Sequence, residues 1–515
     1  FSDLSFSGLI QTSNLKVAKI IGESIGADNL YLVADAGVEI KRDKPLRAYA
    51  DGNIGSIKFK DYIYEDIHIN GVYSGSDIVA LVESRTEENE FTVDADLSFG
   101  ESMKFNVDAV IDKLKLSPLI QIEQWNNPFL TTRINTELEG ASMDELAGLV
   151  VLDSTSLHDD NFIYNPGPIY VQALAANANG DKKIEIFSSI IEGEVVGDYH
   201  FTTIGNEISA LLNKTLPSVI GQPTAATISE ERNIFDFNFI LKNTEDLSYA
   251  LSLPFINVDN ATLSGSVNMK NGDGLVLNAR VPRLMMGQND VRETRLTVDL
   301  KKAGELNIGA DTYLVQDNGH INAKLRSSAS DDHLGNVISF AVDNSTAKAD
   351  GSLDISFDFM KDEENELLSY IYVNPTHMMF NDKRIDVIPS EILYEKDRVE
   401  INDFELREEQ MLLLGIDGIA SRLREDSIRV FFNNTDLGTI LTTLKIGGVN
   451  GSINGGVVIH QAFESPIVHT DNFRIENLST QKDTIGTLIL EGNWDNLRNG
   501  LMVDADLKNK GNNYL

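Results

Sequence analysis

The sequence predicts a mainly β protein: an elongated, strongly bent β-sheet groove built from degenerate strand repeats, with a few short helices. Three observations predict it. Apolar and polar residues alternate along most of the chain, helical spacing appears only in short pieces, and short segments recur at irregular intervals. A hydrophobic fraction of 42% supplies a large apolar face and argues against wholesale disorder. The usual size prior divides 515 residues into about three compact domains, but a repeat architecture makes one continuous body of the same length. The expected segments are 1–140 with a short N-terminal helix, 141–260 with short helices, 261–380, and 381–515, all parts of one groove.

Strand rhythm is clearest in GSLDISFDFM, where Leu353, Ile355, Phe357 and Phe359 alternate with Ser352, Asp354, Ser356 and Asp358. Alternate residues of a strand point to opposite faces, so one face is apolar and the other polar. The rhythm recurs in FTVDADLSF (Phe91, Val93, Ala95, Leu97, Phe99), FDFNF (Phe235, Phe237, Phe239), LVLNARV, RLTVDL and LMVDADL (Leu501, Val503, Ala505, Leu507).

Helical periodicity is confined to four pieces. SNLKVAKIIGESIG has Ser13 as N-cap and Gly26 as stop, and TTIGNEISALLNK places Ile204, Ile208, Leu211 and Leu212 on one face. NTEDLSYAL is weaker, and NTDLGTILTTL aligns Leu437, Ile440, Leu441 and Leu444 behind Thr435 or Asp436 as cap. None is long enough to organise a helical bundle.

GGVNGSINGGVVIH, Gly447 to His460, is dense in glycine. A phosphate-cradling loop needs a Lys with Ser or Thr after the last glycine, or a helix opening there, and Val457, Val458 and Ile459 follow instead. GSIN at Gly451 is echoed by GSVN at Gly265, GSIK at Gly55 and GSLD at Gly351, and VDADL occurs at Val93 to Leu97 and again at Val503 to Leu507. The pattern predicts a drifting repeat of short helix, glycine turn and meandering strands, in which the glycines supply positive φ between strands.

The net charge of -36 is spread along the chain, a surface that repels phosphate backbones and excludes nucleic acid as a partner. With no cysteine, disulfides, thiolate metal sites and cysteine nucleophiles are ruled out. No apolar run approaches the roughly 20 residues of a membrane helix. Both ends fall inside patterned sequence, so the chain is expected to be part of a longer polypeptide.

No catalytic or metal constellation stands out. The histidines, His68, His158, His200, His320, His333, His377, His460 and His469, are scattered singly, without i, i+4 pairs or H-E-x-x-H. Acid pairs such as Asp94 with Asp96, Asp159 with Asp160 and Asp331 with Asp332 are expected by chance in so acidic a chain, and Asp94 and Asp96 fall on the polar face of their strand. In DSTSLHDD, Ser, His and Asp are near in sequence, but a triad is defined by geometry. No cofactor, metal or enzymatic activity is expected.

A sheet with one apolar face covers it with another sheet, closes into a barrel, stacks into a β-helix, or stays open as a trough whose lining something other than protein occupies. Few prolines, short polar turns, drifting repeats and short helices able to cap or plug favour the trough. Its candidate lining is Phe91, Val93, Leu97, Phe235, Phe237, Phe239, Leu353, Ile355, Phe357, Phe359, Ile453, Val457, Ile459, Leu501, Val503 and Leu507. The same residues also suit an ordinary core.

GSIKFKDYIYEDIHINGVYSG, then NEFTVDADLSF, then the long segment from IDVIPSEILYEKDRVEINDFEL through SRLREDSIRVFFNNTDLGTILTTLKIGGVNGSINGGVVIH, resemble the periplasmic region of TamB-type translocation and assembly module proteins, in the AsmA-like group of bridge-like lipid transfer proteins. The resemblance runs over most of the chain, strongest from about Ile385 to Leu507, and lies in cadence rather than in an invariant chemical motif. It implies a β-taco anchored in the inner membrane of a Gram-negative envelope by an N-terminal helix outside this sequence. A C-terminal region, also outside it, would meet an Omp85-type outer-membrane protein. The implied role is to carry phospholipid across the periplasm, or to assist outer-membrane protein assembly, without catalytic residues.

The alternatives are a structural or adhesive β-helix or β-sandwich array at the cell surface and, behind it, a carbohydrate-active β-helix enzyme.

Overall fold

The computed structural model describes residues 3–16, 27–42, 44–59, 62–116, 125–221, 233–251, 256–270, 274–287, 289–316, 319–344, 348–380, 383–438, 448–464, 466–480, 483–495, 500–509 and 512–513. The chain is mainly β, its strands joined in one large antiparallel sheet. Two compact units divide it: Phe1–Glu207 with Ser229–Thr294, and Ile208–Ile228 with Arg295–Leu515.

In the first unit the strands run from Leu4–Leu15 to Gly274–Met286, mostly in hairpin succession. Strand Asn89–Phe99 shows how the sequence makes them: Phe91, Val93, Ala95 and Leu97 are half-buried on one side, while Asp94 and Asp96 are exposed on the other. In the second unit, strands from Leu306–Gln316 to Gly500–Asn509 repeat the plan. There the hairpin between Gly319–Ser330 and His333–Asn344 turns on Asp331 and Asp332, at φ of 51° and 62°. Positive φ at both loop positions matches the right-handed twist of the flanking strands. The Asp332 carboxylate accepts bonds from the Ser218 amide and hydroxyl, both 2.8 Å, which fixes this turn.

The ladders are interrupted where Asn, Asp or Ser takes a left-handed conformation: Asn29, Ser154, Asp403 and Asn434 each lie at a register shift. A bulge of this kind leaves a residue unpaired, bends its strand and increases the local twist. Short polar residues tolerate left-handed φ where local bonds support it, and at Ser154 the support comes from the preceding residue, whose Asp153 carboxylate accepts the Ser154 amide at 2.7 Å.

Two predicted helices are present, Phe201–Thr215 and Glu245–Ala250. Ser13, expected to cap a helix, instead lies within strand Leu4–Leu15, and residues 17–26 lie outside the described residues. Asp436 ends strand Ser427–Asp436 and accepts the Gly438 amide at 2.9 Å, the bond expected of an N-cap. Ile440, Leu441 and Leu444 lie outside the described residues.

The glycine-turn reading is overturned. Gly55, Gly265, Gly351 and Gly451 all lie inside strands, and Val449–His460 is one continuous strand. Their reason is close approach: a Cβ on Gly55 would stand 2.3 Å from the Tyr31 ring, and one on Gly351 2.7 Å from Met378 Cγ. Gly455, at φ 91° within its strand, would place a Cβ 2.1 Å from the Asn472 carbonyl oxygen.

Candidate functional site

Residues directly opposite one another in an antiparallel ladder share a face, so the registers extend each strand's apolar face across the sheet. In the first unit one row runs from Phe6 through Val38, Ala48, Tyr73, Ile78, Leu97, Phe105, Leu138, Gly148, Ala173, Ile184, Val195, Phe237 and Gly265 to Leu277. No charged side chain interrupts it. The adjacent row through Ala95 and Phe239 has the same character, Gly8, Ala36, Ala50, Gly71 and Ala80 preceding Ala95. Phe91, Val93 and Leu97 thus share a face with Phe235, Phe237 and Phe239.

The opposite face carries the acids, with exposed apolar side chains such as Val79, Val110 and Leu149 among them. Asp94 lies opposite Asp108, which lies opposite Asn135 and accepts its side-chain amide at 2.7 Å, and Asp96 lies opposite Asn106. The acids therefore stand away from the apolar rows.

In the second unit a row runs from Leu306 through Ala329, Leu334, Phe357, Ile371, Ile392, Ile401, Gly418, Ile428 and Ile459 to Val468. Phe357 and Ile459 are thereby joined, with Leu353, Ile355 and Phe359 on the same face. A separate row links Ile453, Ile475, Leu488 and Leu507. Val503 lies opposite Gly492 and is 51% exposed, and Val457 lies opposite Val430. The Leu501 side chain lies outside the described residues.

The burial of these rows is distinctive. Phe91, Leu97, Phe237, Ile355, Phe357 and Ile459 are all half-buried, and among the candidates whose side chains are described Ile453, at 7% exposure, is the buried one. Next to Val457 and Ile459, Val458 on the other face is the more buried, between Arg429 and His469. Among the described residues, the substantial contacts each long strand makes are with its ladder neighbours.

In the first unit aromatic rings gather beside Phe201, the first residue of the helix Phe201–Thr215. Phe237 lies 6.4 Å from both Phe235 and Phe239, Phe235 lies edge-on to the buried Tyr199 at 6.4 Å, and Tyr199 stacks on Phe201 at 4.7 Å. Asp144 holds the start of this helix by accepting the Thr202 amide at 3.1 Å and the Thr202 hydroxyl. Burial pushes the Asp144 carboxyl up, but the Thr202 bonds, His200 and Lys182 outweigh it and leave it below the ordinary carboxylate range.

The chain's own side chains cover part of the face near the helix Glu245–Ala250. Ala250, fully buried at the end of helix Glu245–Ala250, packs with Leu116 and Leu157, and Trp125, Leu130, Phe162 and Tyr164 surround them. The indole of Trp125 donates to the Ala250 carbonyl at 2.7 Å. The segment around Trp125 carried no strand or helix signal, so the sequence reading missed it.

An open cleft of about 550 Å³ lies on the face opposite the apolar rows, lined by Leu149, Tyr170, Gln172, Phe187, Asn238 and glutamates. It contains none of the predicted lining residues. Lys183 pairs with Glu185 and Glu194 at 2.8 and 2.9 Å, and Lys242 with Glu192 at 2.8 Å. In DSTSLHDD, Ser156 Oγ meets His158 Nε2 at 2.8 Å, whereas Asp159 accepts the amides of Asn126 and Asn127 at 2.8 and 2.9 Å. Among the described residues no cluster of His, Cys, Asp or Glu is placed to hold a metal ion, and no helix is long and apolar enough to cross a membrane.

These features define a mainly β chain with apolar rows free of charged side chains on one face and the acids, interspersed with apolar residues, on the other. Comparison with protein-family models, curated proteins and solved structures yields no match.

Proposed function

We propose that the chain is a lipid-transfer conduit, in which the sheet bends into a groove and phospholipid acyl chains move along the apolar rows while headgroups travel in water at the open mouth. The observation that carries this reading is the combination of rows free of charged side chains with side chains left half-exposed. Each acyl methylene shielded from water contributes roughly 0.8 kcal/mol, so a lining of this length lets tails leave a bilayer without being wetted. Near-equivalent apolar sites along a row give near-equal wells, and movement needs no chemical step. The TamB-like cadence supports a site in the periplasm of a Gram-negative envelope, anchored to the inner membrane, with an Omp85-type partner and a part in outer-membrane protein assembly.

Detergent-free purification followed by lipid mass spectrometry tests this, with a photoactivatable residue at Phe357 to capture whatever touches the face. Phospholipid recovered and cross-linked there is the expected result. Lipid-free protein whose cross-links all return to its own chain overturns it. The cleft on the opposite face, with the exposed Tyr170 and Phe187 in its lining, is what favours the adhesive-array reading, and that second result is the one it expects.

A further inference from the structure

The cleft opposite the apolar rows is built from two neighbouring cross-strand rows. Leu149 lies opposite Gln172, Gln172 opposite Glu185, Glu185 opposite Glu194 and Glu194 opposite Asn238. Two residues away along the strands, Tyr170 lies opposite Phe187, Phe187 opposite Glu192 and Glu192 opposite Ile240. Both rows line the cleft. Two amides with two carboxylates between them thus stand beside two aromatic rings, and the amide residues, Gln172 and Asn238, are exposed. Tyr170 is 42% exposed and Phe187 59%. The Phe187 ring is held in place: the Lys242 ammonium stands 5.0 Å from its centroid and is itself fixed by Glu192 at 2.8 Å and by the Ser188 carbonyl at 3.0 Å. A ring already ordered loses less freedom when a ligand covers it.

We propose that this cleft binds a linear, uncharged oligosaccharide, whose C–H faces pack on Tyr170 and Phe187 while its hydroxyls bond to Gln172, Glu185, Glu194 and Asn238. Other ligand classes fit less well. Acyl chains would strip water from these four polar side chains and offer no bond in return. An anion would meet three glutamates in a chain of net charge -36. A cation would have to displace Lys183, which pairs with Glu185 and Glu194, and Lys242, which pairs with Glu192. An added β-strand would find no edge, because each strand of the cleft is bonded on both sides. A sugar chain needs apolar area under its ring faces and both donors and acceptors for its hydroxyls, and the two rows supply these side by side. From Leu149 to Asn238 the polar row crosses five strands. That is about 19 Å at the usual strand spacing, long enough for several linked sugar rings. Lipid on the apolar rows and sugar in the cleft are independent, because the two lie on opposite faces of the strands.

The experiment is isothermal titration calorimetry of the full chain with linear hexasaccharides of glucose, mannose and N-acetylglucosamine, at low and at high salt. The expected result is binding of at least one of them with an affinity that ionic strength leaves unchanged, since an uncharged ligand has no charge to screen. Tyr170→Ala and Phe187→Ala should each weaken that binding about five- to tenfold through loss of a stacked ring. Gln172→Ala combined with Asn238→Ala should weaken it by a similar factor, whereas Val79→Ala, exposed on the same face outside the cleft, leaves it unchanged. All these positions are exposed, and circular dichroism checks that the variants keep their strands. Absence of binding to every hexasaccharide at millimolar concentration overturns the proposal, and so does binding that both aromatic variants leave intact, which places the sugar elsewhere. A hexalysine peptide or a sulfated oligosaccharide bound instead, with affinity falling as salt rises, assigns the cleft to a charged ligand and equally overturns it.

Discussion

Phe237 lies directly opposite Gly265, and its ring is laid across the glycine: a Cβ there would stand 2.6 Å from Phe237 Cζ and 2.1 Å from the Val276 carbonyl oxygen. The aromatic side chain and the neighbouring strand both occupy the space a larger residue would need. Gly265→Ala must therefore displace backbone as well as ring, and overpacking of this kind costs about 1–3 kcal/mol. Urea unfolding monitored by far-UV circular dichroism measures it. Adding Phe237→Leu should recover only part of the loss, because the Val276 carbonyl remains in the way. Full recovery would place the conflict in the ring alone.

Phe237→Glu and Phe357→Glu test whether half-burial marks a surface that meets cargo. A carboxylate at a half-exposed position keeps contact with water, so each variant should retain its strand content while losing co-purifying phospholipid. Circular dichroism and lipid mass spectrometry on the same preparation read both properties. Variants that unfold would show that these side chains are packed core, and the conduit reading would fail at those positions.

Trp125 and Ala250 are 125 residues apart in sequence and meet through the indole donor. Trp125→Phe keeps most of the apolar contact and removes the bond, for a loss of about 0.5–1.5 kcal/mol. Trp125→Ala also removes the ring, and truncations of this size cost about 3–5 kcal/mol in a full core and less where, as here, the side chain is only partly buried. Hydrogen exchange over Glu245–Ala250 should accelerate in both variants, more in the second, while the strand amides around Phe91 keep their protection. Uniform acceleration across the sheet would mean that the helix is not an independent plug.

What the sequence made legible was local. The alternation in FTVDADLSF and FDFNF correctly separated the two faces of their strands, and the spacing of Ile204, Ile208, Leu211 and Leu212 marked the helix Phe201–Thr215. The Gly-Ser copies misled because glycine serves both a turn and the passage of a ring or carbonyl over a strand, and only the neighbour reveals which. Bulges at Asp403 and Asn434 were hidden because Asn and Asp look the same at a bulge and at a turn. The row joining Leu97 to Phe237 depends on registers between strands, which one strand's alternation does not contain. Ile78, Phe105, Leu138 and Val195 complete that row, and they were discoverable only as members of further alternating segments.

The helix Phe201–Thr215 should report acid. Its first turn has unpaired amides, and Asp144 satisfies one of them from outside the helix, accepting Thr202 at 3.1 Å. Around the carboxylate stand His200 Nδ1 at 3.7 Å and the buried Lys182, which donates to the Asp144 carbonyl at 3.0 Å; Asp198, 3.0 Å from His200 Nε2, is the nearby acid. Burial raises the carboxyl and these donors and cations more than reverse it, so folded Asp144 binds a proton less readily than it does in the unfolded chain. The stabilisation is therefore complete above about pH 4, the unfolded aspartate value, and is lost as pH falls through the lower folded value. Asp144→Asn keeps an acceptor but removes the charge, so it should cost roughly 0.5–1 kcal/mol at pH 7 and flatten the acid limb of the stability curve. Urea midpoints from pH 7 down to pH 3 measure both effects. Parallel acid limbs for the two proteins would assign the pH dependence to other carboxylates and leave Asp144 a neutral cap.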